Sequence, residues 1–225
     1  MLLDDLIEIN RRTCNSLWSI AAVNGHPSGL SPRLIIPRTR NNDLRISEQE
    51  ARLMFCSLLN NLRYYYSIET PTVQSYQLTG QAAQSALSDL SLYTYNGSFE
   101  KVANIEFKAH NPPQEHIRKD IEKLIREKIQ GNWFHLLKNI DSGTLQALFT
   151  KFTASFRSCS NMVSNNVSIL FCFCVLDKKW ACYKHFDYHP GQGNFDAYVN
   201  SFFTVNYGVS GNKVTVNNNN GWIIV

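Results

Sequence analysis

Residues 88–113 restrict the fold more than any other stretch of the chain. Ser88-Asp89-Leu90-Ser91-Leu92-Tyr93 alternates in part between polar and apolar side chains, as a half-buried strand does. Asn96-Gly97 is a hairpin signal, because both residues tolerate the positive φ that tight hairpin turns demand. Val102-Ala103-Asn104-Ile105-Glu106-Phe107-Lys108 reads as the returning strand, and Asn111-Pro112-Pro113 breaks it. Two antiparallel strands are thus tied together by sequence, and a sheet must form around them.

The flanking segments supply the partners. Ser47-Glu48-Gln49-Glu50 has the spacing of a capping box, and Ala51, Met54, Phe55, Leu58, Leu59 and Leu62 follow on one helical face. Tyr64-Tyr65-Tyr66-Ser67-Ile68 favours a strand, with Pro71 ending it or placing it at an edge. After the Pro pair, residues 114–130 read as a charged amphipathic helix with Ile117, Ile121, Leu124, Ile125 and Ile129 inward, ended by Gly131. A second helix is expected at residues 144–156, strands at 168–175 and 180–186, and a β-like, Asn-rich end. The class is α/β of the α+β type, with a mixed β-sheet flanked by helices.

Upstream, residues 2–23 carry Leu3, Leu6, Ile7, Cys14, Leu17 and Trp18 on a helical stripe broken at Asn10, followed by a Gly/Pro loop at residues 24–32. Residues 1–45 read as an N-terminal helical extension that packs on the main domain or pairs two copies, which makes a homodimer an expectation; residues 46–225 read as the main domain. No apolar run approaches 18 residues, so no membrane span is expected. The acidic start, Asp4-Asp5, does not resemble a secretory leader. A cytoplasmic location follows as an expectation, with the six cysteines as free thiols. Cys172, Cys174 and Cys182, with His185 and His189, allow a zinc site to be imagined if Cys174 sits opposite Cys182; buried thiols are the simpler reading.

The chemistry-bearing residues lie on the hairpin. Glu106 and Lys108 are two apart on a strand and so share a face, while Ile105 and Phe107 point the other way. Asp89 lies on the paired strand. Two carboxylates and one ammonium can converge there, and hard oxygens suit Mg²⁺ or Mn²⁺. An acid-x-Lys triplet alone carries little weight, since about one is expected by chance in such a chain, and Asp177-Lys178-Lys179 also matches within an expected turn. The formal charge of +4 permits contact with nucleic acid without requiring it. Arg33, Arg38, Arg40, Arg45, Arg63, Lys119 and Lys123 are the candidates for a phosphate-contacting surface. His110 and His116 flank the same edge.

Asp89, a hairpin, then Glu106-Phe107-Lys108, preceded by a helix and a strand and followed by a helix, resembles the PD-(D/E)XK nuclease superfamily over residues 45–175. The resemblance implies a restriction-endonuclease-like core, with Asp89 and Glu106 as metal ligands and Lys108 as the catalytic lysine. It also implies an additional acid from the first helix, for which Glu50 is the candidate, with Glu48 close behind; Glu69, ending the first strand, is a weaker candidate. Ser88 stands where the family has proline. The expected activity is metal-dependent hydrolysis of phosphodiester bonds, in DNA rather than RNA, with restriction or defence as the typical setting. The alternative is a non-catalytic nucleic-acid-binding protein that keeps the nuclease fold.

Overall fold

The hairpin forms as the turn residues require. In a computed structural model of the chain, β2 (Gln84–Tyr95) and β3 (Phe99–Ala109) pair antiparallel, with Tyr95 opposite Phe99 and Gly97 at φ +81° in the turn. The structure describes residues 2–22, 34–76, 84–141, 143–204, 206–210, 213–217 and 221–225. Arg33 and the 24–32 loop lie outside the described residues.

Around this hairpin the chain builds a mixed α/β layer structure. A seven-stranded mixed sheet runs in the order β1 (Tyr65–Tyr76), β2, β3, β4 (Gln130–Leu137), β5 (Val167–Val175), β6 (Trp180–Tyr188), β9 (Ile223–Ile224). A separate hairpin pairs β7 (Asn206–Ser210) with β8 (Lys213–Asn217). The β3–β4 and β4–β5 pairs are parallel and the other neighbours antiparallel. Parallel neighbours need a crossover, supplied by α3 (Gln114–Arg126) and α4 (Thr144–Ser158).

Five α-helices among the described residues cover the two faces. α1 (Leu2–Ala22) and α2 (Glu48–Leu59) share one core with Leu90, Leu92, Ile105, Phe107, Phe134 and Leu170. α3, α4 and α5 (Phe195–Phe202) share the other with Trp133, Ile169, Phe171 and Phe173. Strand alternation does the sorting: Ile105 and Phe107 face α2, so Glu106 and Lys108 face α3. The Ser47 capping box forms as its sequence predicts.

α1 belongs to the same core as α2 rather than standing apart from it. Leu6, Ile9, Cys14, Leu17 and Ile20 are buried at helical spacing. Asn10, which interrupts the stripe in sequence, is fully buried and forms a reciprocal amide pair with Asn132 of β4 at 2.7 and 3.3 Å. The break in the stripe is therefore a polar lock between helix and sheet.

Several local expectations fail. The helix expected over residues 114–130 ends at Arg126, and Gln130–Leu137 is the central strand β4. β4 buries Asn132 and His135 among its apolar residues, so its sequence shows neither a clean apolar run nor a period-two alternation. Gly131, the second residue of that strand, has no room for a side chain, because a Cβ there would lie 2.9 Å from Ile169 Cγ1 on the neighbouring strand. α5 falls where no element was expected, capped by the Asn194 side chain accepting from Ala197 N–H, and the β-like end expected beyond it forms as β7, β8 and β9. Of the two readings of Pro71, the edge one holds: β1 runs through it at the edge of the sheet.

The zinc reading is overturned. Cys174 pairs with Ala181, and Cys182 lies opposite Phe173 on the other core. All six cysteines are free and buried. Cys14 and Cys172 are in contact at 3.8 Å, and burial pushes both thiols well above the ordinary range, which keeps them unreactive.

Candidate functional site

The ladder between β2 and β3 carries Leu90 opposite Ile105, and Asp89 lies one residue past that pair. There the Asp89 carboxylate replaces a main-chain partner: its Oδ2 accepts the Phe107 N–H at 2.7 Å. Phe107 is anchored on the opposite face between Phe55 and Phe134, with ring centroids 5.5 and 6.0 Å away. The middle residue of Glu106-Phe107-Lys108 therefore fixes the strand, and its two neighbours are displayed together toward α3.

Lys108 Nζ lies 2.7 Å from Asp120 Oδ2, 3.0 Å from its own strand's Phe107 carbonyl oxygen and 4.0 Å from Asp89 Oδ2. Lys123, one turn along α3 from Asp120, donates to Glu106 Oε2 at 2.8 Å, Asp120 Oδ1 at 2.7 Å and the Leu87 carbonyl at 2.8 Å. Asp120 thus bridges two ammonium groups through different oxygens. Glu106 is fully buried, whereas Asp89 and Lys108 keep 19% and 15% of their side-chain surface in solvent. The cluster has a wet rim of Asp89 and Lys108 over a dry floor of Glu106 and Lys123.

The electrostatics follow from that layering. Burial raises the Glu106 carboxyl well above the usual carboxylate range, the Asp120 and Asp89 charges push it further, and Lys123 opposes them. Burial also raises Asp89, against the pull of Lys108 and the Phe107 N–H. Asp120 feels the same burial, but Lys123 and Lys108 outweigh it and hold the carboxyl low. Burial lowers both lysines, yet the surrounding carboxylates leave each raised overall. The cluster is a network of ion pairs that stand or fall together.

Of the acids on or near the first helix, the structure brings Glu48 toward the cluster and not Glu50. Glu48 is raised by its own burial, pulled down by Lys108 and pushed up by Asp89 and Asp120. Glu50 is committed to the cap, its Oε2 accepting from Ser47 N–H at 2.7 Å and Ser47 Oγ at 2.6 Å. A carboxylate spent on an N-cap is turned toward the helix terminus, so the structure does not bring Glu50 into the cluster, and Glu48 is the helix acid that feels its charges. Glu69 takes φ +50° and pairs with Arg52 at 2.6 Å, half in solvent.

The expected phosphate contacts divide. Lys123 is buried within the cluster and is not a surface cation, which corrects its sequence reading. Lys119 is partly exposed on α3, and its charge falls on Glu115. Arg45 is exposed at the end of the bridge between Arg38 and Leu44. His110 donates its Nε2–H to the Ile46 carbonyl at 2.8 Å, and His116 is exposed.

Asp120 is the residue that sequence reading missed. Its signal was legible: it stands three residues after Ile117, on the inward side of the helix, where a charge needs a partner.

Asp89 and Glu106 offer hard carboxylate oxygens of the kind a divalent cation takes. Glu106 Oε1 is buried with no hydrogen-bond donor, and an orphaned carboxylate oxygen is costly unless a cation or proton meets it. Among the described residues no three His, Cys, Asp or Glu side chains are arranged around one ion. Two carboxylates completed by water and substrate phosphate remain compatible with Mg²⁺, which is commonly bound that way. Among the described residues no helix is long and apolar enough to cross a membrane. No protein-family model, no curated protein and no solved structure matches this chain.

Proposed function

We propose that this chain is a metal-dependent nuclease that hydrolyses phosphodiester bonds in DNA, built on a restriction-endonuclease-like core. One observation carries the reading: Asp89, Glu106 and Lys108 meet in one cluster on one sheet face, with a Glu106 oxygen left buried and unpaired. The element order supports it, a helix (α2), three antiparallel strands (β1–β3), a helix (α3) and a parallel strand (β4).

Asp89 and Glu106 are the residues that would hold Mg²⁺ or Mn²⁺. The ion's contribution there is to polarise the phosphodiester and lower the pKa of a bound water. Lys108 sits at the wet rim, where its ammonium orients the attacking water and offsets charge developing on the phosphoryl oxygens. Phe107 and Asp120 hold Lys108 in place. Arg45 and Lys119, with Arg38, Arg40 and Arg63, are the candidates for backbone phosphates.

A second reading keeps the fold without catalysis: a nucleic-acid-binding protein whose acids are neutralised internally. The contact between Lys123 and Glu106 favours it. One assay separates the two. Plasmid, linear duplex, single-stranded DNA and RNA are incubated with the protein in Mg²⁺ or Mn²⁺, beside Glu106→Gln and Lys108→Ala. Cleavage lost in both variants supports the nuclease. Binding with no metal-dependent cleavage by the wild type refutes it and supports the second reading.

A further inference from the structure

Lys123 is the member of the cluster that a two-carboxylate metal site does not need. An ammonium has three N–H donors, and Glu106 Oε2, Asp120 Oδ1 and the Leu87 carbonyl use all three. A lysine normally keeps its head in water and lays its stem on apolar surface. Here the head is inside, with 9% of the side chain exposed, and its neighbours make that tolerable. The ammonium meets Glu106 at the carboxylate that is the deepest ligand in the nuclease reading.

A divalent cation and an ammonium on the same carboxylate repel one another. The two can alternate if the lysine has somewhere to go, and Asp120 provides it. Asp120 holds Lys123 through Oδ1 and Lys108 through Oδ2, so Lys123 can part from Glu106 while keeping Asp120 and the Leu87 carbonyl.

Resting on the nuclease reading, we propose that Lys123 is an internal counter-ion to Glu106: it closes the cluster in the resting protein and must leave Glu106, retained by Asp120, before a divalent cation binds. Affinity is then reduced by the fraction of molecules in which Lys123 has already left. If that fraction is about one tenth, removing the lysine charge tightens binding about tenfold.

The test is calorimetric titration of the full chain with Mn²⁺, wild type beside Lys123→Gln, whose amide still donates to Glu106 without a charge. Binding about tenfold tighter in Lys123→Gln, and abolished when Glu106→Gln is added, supports the counter-ion role. Equal or weaker affinity in Lys123→Gln, in proteins that both cleave DNA, overturns it and leaves the nuclease reading standing. No Mn²⁺ binding by either protein overturns both. If Lys123→Gln does not fold, the wild type decides through the ¹⁵N spectrum of its lysine ammonium groups. A slowly exchanging Lys123 ammonium that loses protection when Mg²⁺ is added supports the role. One exposed from the outset, or unchanged in both chemical shift and protection at saturating Mg²⁺, refutes it.

Discussion

Acid weakens this fold through His135. The residue lies on the central strand β4, fully buried and stacked on Phe173 at 5.5 Å. Its Nδ1 accepts the Trp133 indole N–H at 3.3 Å, and its Nε2–H donates to the His110 carbonyl at 2.7 Å. Both nitrogens are committed to the neutral ring, and a proton on Nδ1 would face the Trp133 N–H. Burial lowers the pKa to about 4, only partly offset by the bond to His110. In the unfolded chain the ring titrates near its ordinary value of about 6.5. The folded pKa is depressed, so below pH 6.5 the unfolded state takes up the proton first. The stability contributed by the neutral ring is complete above pH 6.5 and disappears as pH falls toward 4. At about 1.4 kcal/mol per unit, the loss is about 2 kcal/mol at pH 5 and about 3 kcal/mol by pH 4. Urea unfolding at pH 7, 6 and 5 measures it, with His135→Gln as the reference because its amide can replace both hydrogen bonds. Taking the difference between the two proteins removes the contributions of carboxylates and of the other histidines. Parallel loss of stability in wild type and His135→Gln refutes the reasoning, as does an NMR titration placing His135 above pH 6.

Other consequences follow from the same contacts. Glu106→Ala leaves Lys123 short of a buried partner and costs about 3–5 kcal/mol in chemical unfolding, whereas Glu106→Gln keeps a hydrogen bond, costs less and, on the nuclease proposal, abolishes cleavage. Glu50→Ala loses the cap and about 1 kcal/mol of stability; on the nuclease proposal its cleavage rate is unchanged while Glu48→Gln slows cleavage, and the reverse pattern in a kinetic comparison puts Glu50 in the site. Asn10→Leu strands the Asn132 amide and costs about 1–3 kcal/mol by urea unfolding, and adding Asn132→Leu recovers most of that, since replacing both partners removes the unpaired group. Gly131→Ala drives a methyl into Ile169 and lowers stability by about 1–3 kcal/mol, read as a fall in melting temperature.

Legibility followed the range of the interactions. The hairpin at Asn96-Gly97 and the Ser47 cap rest on contacts a few residues apart, and both form as read. The sharing of one face by Glu106 and Lys108 needs only the period of two. The central strand β4 was hidden because a segment buried on both faces loses its polar alternation. Asn10 read as a flaw in an amphipathic stripe because its partner, Asn132, lies 122 residues away.

Sequence alone therefore determined which side chains share a face and where the local turns and caps fall, because these depend on backbone geometry and neighbouring residues. Tertiary structure alone decided that Asp120 and Lys123 close over Glu106, that Glu48 rather than Glu50 turns toward them, and that Lys123 is dry rather than facing solvent. Each of those outcomes depends on how α2 and α3 pack across the sheet. Desolvation and pairing between distant charges are properties of that packing, and no spacing along the chain encodes them.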